Sequence, residues 1–345
     1  MNNDRIQEIL DLMEEARLDY FLISDPQSIA YCTGYYNDPH ERMFVFMISK
    51  HGNHTLFMND LFYLDHDLDV NIVWHKDGQD AIQTIVDEMH FPGRIGIDKN
   101  WASHFLLDLM KKLPDAKYIN ASPCVDLVRM KKDLQEQVLM IESSKINDAV
   151  MEEIIPFIQE GVTEKQLAKK LDELFFNHHS TCYGAIVAFG KNAADPHHEN
   201  DDTLLRKGDC VLIDMGCVYK GYCSDMTRTF FYEGILEEEI KVYEIVKKAN
   251  EAAEAMIKPG VKLSDIDKCA RKVISDEGYG KYFTHRLGHF IGRDVHEYGD
   301  VSSVNEMEVE EGMIFSIEPG IYLEGNFGVR VEDLVMVTKD GCQVL

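Results

Sequence analysis

The chain has 345 residues, 45% of them hydrophobic, and a formal charge of −26. That length carries one large or two ordinary domains with a real core. The acidic balance opposes nucleic acid and anionic membrane surfaces as partners. The polar start, Met1-Asn-Asn-Asp-Arg, does not read as a signal peptide, and no apolar run is long enough to span a bilayer. Eight cysteines with no Cys-x-x-Cys pair suit a reducing compartment, so a cytoplasmic protein is expected.

Residues 1–122 read as a small α/β domain. Ile6, Ile9, Leu10 and Met13 share one face of a helix over 6–17. Residues 20–24, 43–49, 54–58 and 94–98 read as strands, and 101–112 as a helix stopped by Pro114. Pro123 and the charged stretch from Arg129 to Asp133 mark the junction, so a second domain is expected over 123–345. There, helices at 134–158 and 164–177 precede strands up to about 232, with Thr163 and Gln166 forming a cap. Helices at 236–257 and 264–277 repeat the pair, with Pro259-Gly260 as the break and Ser264 as the next cap. A second strand set closes the chain. The pattern is a duplication of elements rather than of residues.

The chemistry concentrates in the strands of that second domain. Val211-Leu-Ile-Asp214-Met-Gly and Gly221-Tyr-Cys-Ser-Asp225-Met-Thr read as two strands of a hairpin. A turn between Tyr219 and Lys220 would set Asp214 opposite Asp225, Cβ atoms about 5 Å apart. Downstream, Met313-Ile-Phe-Ser-Ile-Glu318 and Gly328-Val-Arg-Val-Glu332, turning on Gly325, would set Glu318 opposite Glu332. Paired carboxylates in apolar strands repel and are costly to bury, and a cation between them removes both problems. With His289, in Leu-Gly-His289-Phe-Ile-Gly, the set carries four negative charges and one imidazole, which two divalent cations would neutralise. Oxygen-rich ligation with one His suits Mn²⁺, Co²⁺ or Zn²⁺, and a two-metal clamp activates water. Cys217 and Cys223 flank the first hairpin, but the carboxylates complete the set without a thiolate. Arg330 shares a strand face with Glu332 and would orient a ligand carboxylate. His285 lies four residues before His289 without a zinc-protease glutamate and reads as structural.

These segments resemble the pita-bread metallopeptidases, the group of methionine aminopeptidase, Xaa-Pro aminopeptidase and prolidase, from roughly residue 125 to the end. The resemblance implies a mixed α/β (α+β) fold. An amino-terminal creatinase/prolidase-like domain would span 1–122, and a pita-bread catalytic domain of duplicated helix-helix-strand design 123–345. It implies Asp214, Asp225, His289, Glu318 and Glu332 as ligands of two divalent cations, Mn²⁺ foremost. It also implies His197 and His296 as catalytic histidines that contact substrate, and Glu318 as the proton carrier. The reaction implied is hydrolysis of the Xaa-Pro bond, foremost in dipeptides, by a hydroxide bridging the two cations. The size of the amino-terminal domain counts against methionine aminopeptidase.

A dipeptidase must bind a free carboxylate, and Arg293, three residues before His296, is the expected fork. Asp38-Pro-His40-Glu-Arg42 resembles a loop of bacterial prolidases that reaches a neighbouring subunit's active site. A homodimer is thereby implied, with Asp38, His40 and Arg42 touching substrate. An Xaa-Pro aminopeptidase acting on longer peptides, a metal-free creatinase-type amidinohydrolase and a non-catalytic binding protein on the same fold stay open. Phe290, and Gly299 with Asp300, depart from the family pattern, which usually has Gly after the ligand His and often Pro after His-Glu. Phe290 is therefore expected to bring bulk close to a ligand.

Overall fold

The apolar runs Tyr20-Phe-Leu-Ile and Val45-Phe-Met-Ile do not alternate, which is the pattern of strands covered on both faces. They form the centre of a six-stranded sheet in a computed structural model that describes every residue except Phe91. Its strands are β1 (Tyr20–Ile23), β2 (Val45–Ser49), β3 (Thr55–Asn59), β4 (Asn71–His75), β5 (Arg94–Ile97) and β6 (Lys117–Asn120). Their order is β4-β3-β2-β1-β5-β6. β1, β2 and β3 pair antiparallel, while the β3–β4, β1–β5 and β5–β6 pairs are parallel. Helices α1 (Asn3–Glu15), α2 (Pro26–Thr33), α3 (Ala81–Glu88), α4 (Ser103–Lys112) and α5 (Ser122–Met130) cover the sheet. Phe21 and Ile23 pack with Ile6 and Ile9 of α1 and with Val125 and Val128 of α5. Tyr20 and Leu22 turn to the other face, against Ile82 and Ile85 of α3 and Leu109 of α4. These residues form one compact unit, Met1–Arg129, so most of α5 belongs to it, past the expected junction at 122.

The other unit, Met130–Leu345, runs twice through a helix pair followed by strands. The first pass is α6 (Leu134–Ile154) and α7 (Glu164–Asn177), then β7 (Thr181–Cys182), β8 (Ile186–Phe189), β9 (Cys210–Met215), β10 (Cys217–Tyr219), β11 (Tyr222–Cys223) and β12 (Met226–Phe231). The second pass is α8 (Glu237–Glu254) and α9 (Leu263–Asp276). Its strands are β13 (Gly288–His289), β14 (Asp300–Val301), β15 (Ile314–Ile317), β16 (Gly320–Leu323), β17 (Phe327–Arg330), β18 (Asp333–Val337) and β19 (Cys342–Val344). α6 ends earlier than expected and tightens into a 3₁₀ turn at Ile155–Phe157, where Pro156 supplies no N–H. Thr163 caps α7 as expected: its hydroxyl accepts from Gln166 N–H, and Gln166 Oε1 accepts from Thr163 N–H. Ser264 does not cap α9. Its hydroxyl goes to Glu306 at 3.1 Å, and Lys262 holds the cap position. Among the described residues, no helix is long and apolar enough to cross a membrane.

Candidate active site

The hairpin of β16 and β17 keeps the expected register. Gly320 pairs with Arg330 across it, and Ile317 pairs with Asp333 across β15 and β18. Glu318 and Glu332 lie opposite each other between these pairings, where the strands part. Glu318 N–H donates to Leu287 O at 2.8 Å and Glu332 N–H to Thr227 O at 3.1 Å. That last bond bridges the two halves of the unit.

The first hairpin turns one residue later than expected. Lys220 and Gly221 have φ of 48° and 83°, the pair of positive values that a two-residue type I′ turn needs. Glycine therefore takes the second central position. Tyr219 pairs with Tyr222, and Asp214 pairs with Thr227. Sliding the turn by one residue moves each partner by two, so Asp225 becomes the diagonal neighbour of Asp214 on the same face. The ladder opens at Gly216, where the Tyr183 phenol enters: a Cβ on Gly216 would lie 1.8 Å from its oxygen. Tyr183 donates to Ser224 O at 2.7 Å, beside Asp225.

Both hairpins feed one cleft of about 420 Å³, lined by Asp214, Asp225, His289, Glu318 and Glu332. His289 Nε2 is 3.5 Å from Asp225 Oδ2 and 3.7 Å from Glu318 Oε1. Asp225, His289 and Glu332 each place one ligand atom within 4.8 Å of the others. His289 Nδ1 approaches Phe290 O at 3.2 Å. In the neutral ring this puts the proton on Nδ1 and the lone pair of Nε2 toward the carboxylates. Thr227 donates to Glu332 Oε2 at 2.7 Å and accepts from Arg330 Nε at 3.0 Å. Arg330 Nη2 donates to Asp214 Oδ2 at 2.6 Å, and its Nη1 to the Tyr322 phenol at 3.0 Å. Ser316 receives His289 N–H and donates to Glu318 Oε1.

Four carboxyl groups thus crowd around the buried guanidinium of Arg330 and the buried imidazole of His289. Burial pushes Asp214 up to about 6, Asp225 adds to the rise, and Arg330 opposes it. Burial likewise pushes Glu318 up to about 7. Glu332 is held well above the carboxylate range by burial and then by Asp225 and Glu318. Burial pulls His289 down, but Asp225 and Glu318 outweigh it and the net direction is up. Without other cations the cleft relieves its charge by holding protons. Divalent cations fit that demand, and these oxygen and nitrogen donors suit them.

His197 and His296 line the same cleft, and both are exposed. His296 nonetheless packs edge-on against buried His289, ring centroids 4.2 Å apart. Partial desolvation, and then His289, push it down to about 4. His198, next to His197, bonds Glu164 Oε2 at 2.7 Å. Buried Glu164 also accepts from the N–H groups of Phe189 and Asp201 and from the Asn192 amide. Its acceptor capacity is filled by protein donors, which fasten the loop that carries His197.

Arg293 is not among the cleft's lining residues. Its guanidinium lies by the first hairpin's turn, 5.4 Å from the Tyr222 ring centre and 3.3 Å from where a Gly221 Cβ would stand. Phe290 does not crowd the cleft either. It is fully buried against Phe315, ring centroids 5.3 Å apart, and Gly299 makes room for it. Asp38, His40 and Arg42 belong to the first unit. There Arg42 is clamped to Asp77 through two 2.9 Å bonds, and His40 N–H caps Asp38 Oδ1.

Several cleft residues were not foreseen. Thr227 and Tyr322 stand behind the cleft and bond its Glu332 and Arg330; they were legible in principle, because strand alternation puts Thr227 on the face of Asp225 and Tyr322 on the face of Glu318. His285 does more than expected: it lines the cleft and bonds Tyr322. Arg286 sits in an irregular segment, where periodicity gives no direction.

The chain matches the "Metallopeptidase family M24" over residues 138–339 and the "Creatinase/Prolidase N-terminal domain" over 5–131. A peptidase of Staphylococcus aureus (strain bovine RF122 / ET3-1), described as uncharacterized, is 35% identical over 99% of this chain and 98% of its own. The dipeptidase from Pyrococcus horikoshii OT3 is 35% identical with a TM-score of 0.91, covering 99% of this chain and 97% of that one. The prolidase from Thermococcus sibiricus is 32% identical with a TM-score of 0.92, covering 100% and 96%. With its duplicated helix-helix-strand unit around a buried carboxylate–histidine cluster, the chain belongs to metallopeptidase family M24, and it is a dinuclear, metal-dependent peptidase of the pita-bread fold.

Proposed function

We propose that the protein hydrolyses the Xaa-Pro peptide bond, foremost in dipeptides. The observation that carries this is the single cleft in which two carboxylate pairs and His289 meet, with His197 and His296 at its mouth. The likeness to a dipeptidase and a prolidase over nearly the whole chain supports it. Asp214, Asp225, His289, Glu318 and Glu332 would hold two divalent cations, Mn²⁺ foremost, with Co²⁺ or Zn²⁺ as alternatives. When bound, such ions supply Lewis acidity and a water acidic enough to ionise near neutral pH. Glu318 accepts a proton at its carboxylate and hands it to the leaving nitrogen. His296, neutral at pH 7, offers one N–H to the carbonyl oxygen as charge develops there. His197 contacts the substrate at the rim. Arg330 and Thr227 fix the rotamers of Asp214 and Glu332 through the bonds described above.

The same reading includes a cytoplasmic homodimer in which Asp38, His40 and Arg42 close over substrate in the neighbouring copy's cleft. The test is release of proline from Xaa-Pro dipeptides and Xaa-Pro-Yaa tripeptides, with Mn²⁺ and with chelator. Metal-dependent cleavage confined to dipeptides is expected. Equal cleavage of tripeptides moves the assignment to an Xaa-Pro aminopeptidase, and no cleavage by metal-loaded protein overturns the proposal.

A further inference from the structure

Two arginines line the cleft, and they are in opposite states. Arg330 is buried and committed to Asp214, Thr227 and Tyr322. Arg286 is exposed, and among the described residues its guanidinium has no carboxylate partner and no hydrogen-bond acceptor. That is unexpected three residues before His289, in a cleft with four carboxyl groups and in a chain of charge −26.

The reason lies in the main chain beneath it. Arg286 O accepts from His285 Nδ1 at 2.7 Å, so Nδ1 carries the ring proton and Nε2 is an acceptor. The Tyr322 hydroxyl therefore donates to His285 Nε2 at 2.8 Å and receives Arg330 Nη1 on its own lone pair. Leu287 N–H, on the other side, is shared by Val301 O and Asp267 Oδ1. The backbone around residue 286 is thus pinned on both flanks, and one hydrogen-bond chain ties it to Asp214. The side chain is left free at the cleft wall.

We infer that Arg286 binds the free α-carboxylate of the substrate's C-terminal residue and so selects dipeptides over longer peptides. This rests on the Xaa-Pro dipeptidase reading. In an Xaa-Pro dipeptide the carboxylate lies one residue beyond the scissile carbonyl. The cation that meets it must therefore stand beside the groups that hold that carbonyl, and Arg286 lines the wall with His289 and His296. A planar fork with no prior partner forms two parallel bonds to a carboxylate without first breaking an ion pair. A longer peptide offers a neutral amide at the same place and gains nothing from the charge. Arg293, the other arginine of this segment, lies by the hairpin turn and is not part of this wall.

The experiment compares wild type, Arg286→Ala and Arg286→Lys, all Mn²⁺-loaded, on an Xaa-Pro dipeptide and on its C-terminal amide. Bound metal and Tm are measured on each protein. Arg286→Ala should lower the acid-over-amide ratio of kcat/KM roughly 100-fold, through KM for the acid. Arg286→Lys should recover part of it, since it keeps the charge but not the fork. A ratio unchanged in Arg286→Ala overturns the assignment, whether both substrates fall together or neither does. A wild-type protein that cleaves neither acid nor amide defeats the Xaa-Pro reading itself. A wild type that prefers the acid while the variant keeps that preference defeats only the role of Arg286.

Discussion

Among the described residues, Arg330 is the only guanidinium buried among the carboxyl groups of the cleft, and each of its nitrogens has a separate task. Nη2 sets Asp214, Nε sets Glu332 through Thr227, and Nη1 sets the Tyr322–His285 chain. Arg330→Met should therefore lower metal affinity or kcat by about 10- to 100-fold, the usual effect of removing a group that orients ligands. Metal titration against steady-state kinetics separates the two, and unaltered values for both would sink this role. Phe290 and Gly299 pose a different problem at the same scale. Gly299 has a φ of 104°, and a Cβ there would lie 2.7 Å from the Phe290 ring. Gly299→Ala should cost about 2 kcal/mol or more, from backbone strain and overpacking together. Adding Phe290→Leu should return part of that loss, because the two positions share one space. Urea unfolding of the two single variants and the double variant reads this coupling directly.

Glu164 works at the scale of an element. It starts α7, yet its carboxylate holds β8 through Phe189 N–H and the His197 loop through His198 and Asp201. Glu164→Ala leaves several buried donors without an acceptor and should cost roughly 3 kcal/mol. Amide exchange at Phe189 and Asp201 should accelerate more than exchange elsewhere in the unit, and uniform acceleration would contradict a local anchor. What the sequence disclosed follows the same division between regular and irregular backbone. The Glu318–Glu332 register was legible because Gly325, at φ 75°, marks the turn and both strands are apolar. The Asp214–Asp225 register was missed by one turn residue, because Lys220 in a positive-φ position carries no compositional mark. β4 and β6 went unread because they are short edge strands with polar and half-exposed positions. α2 went unread although Asp25-Pro26 announces it; Asp25 caps Ser28 N–H, and Pro26 stands in the first turn. Side chains of irregular segments, Arg286 and Arg293 above all, take their direction from tertiary contacts, which no periodicity encodes.

For the molecule as a whole, the crowded cleft couples stability to pH and to metal. Burial raises Asp214 to about 6 and Glu318 to about 7, and it raises Glu332 well above the carboxylate range. In the unfolded chain these groups ionise near pH 4. Between those values the metal-free folded state holds more protons than the unfolded one. Its stability contribution is therefore full below about pH 4 and is lost as pH rises through the folded values. His285 and His296 run the other way, since burial lowers both to about 4, but their contribution fades as pH rises through the unfolded value of about 6.5. Above that point the carboxyl groups decide, together with His289, whose raised value has the same sign. Divalent cations bind the ionised forms and displace the protons, so their affinity climbs over the same range. With chelator, Tm should fall from about pH 6.5 to about pH 8, and the gain in Tm on adding Mn²⁺ should grow. The charge of −26 adds a general repulsion that also strengthens with pH, but it acts on loaded and chelated protein alike and cancels in the difference. Scanning calorimetry at fixed ionic strength, with and without Mn²⁺, measures that difference. A gain that shrinks as pH rises would mean that metal binds somewhere other than these buried carboxylates.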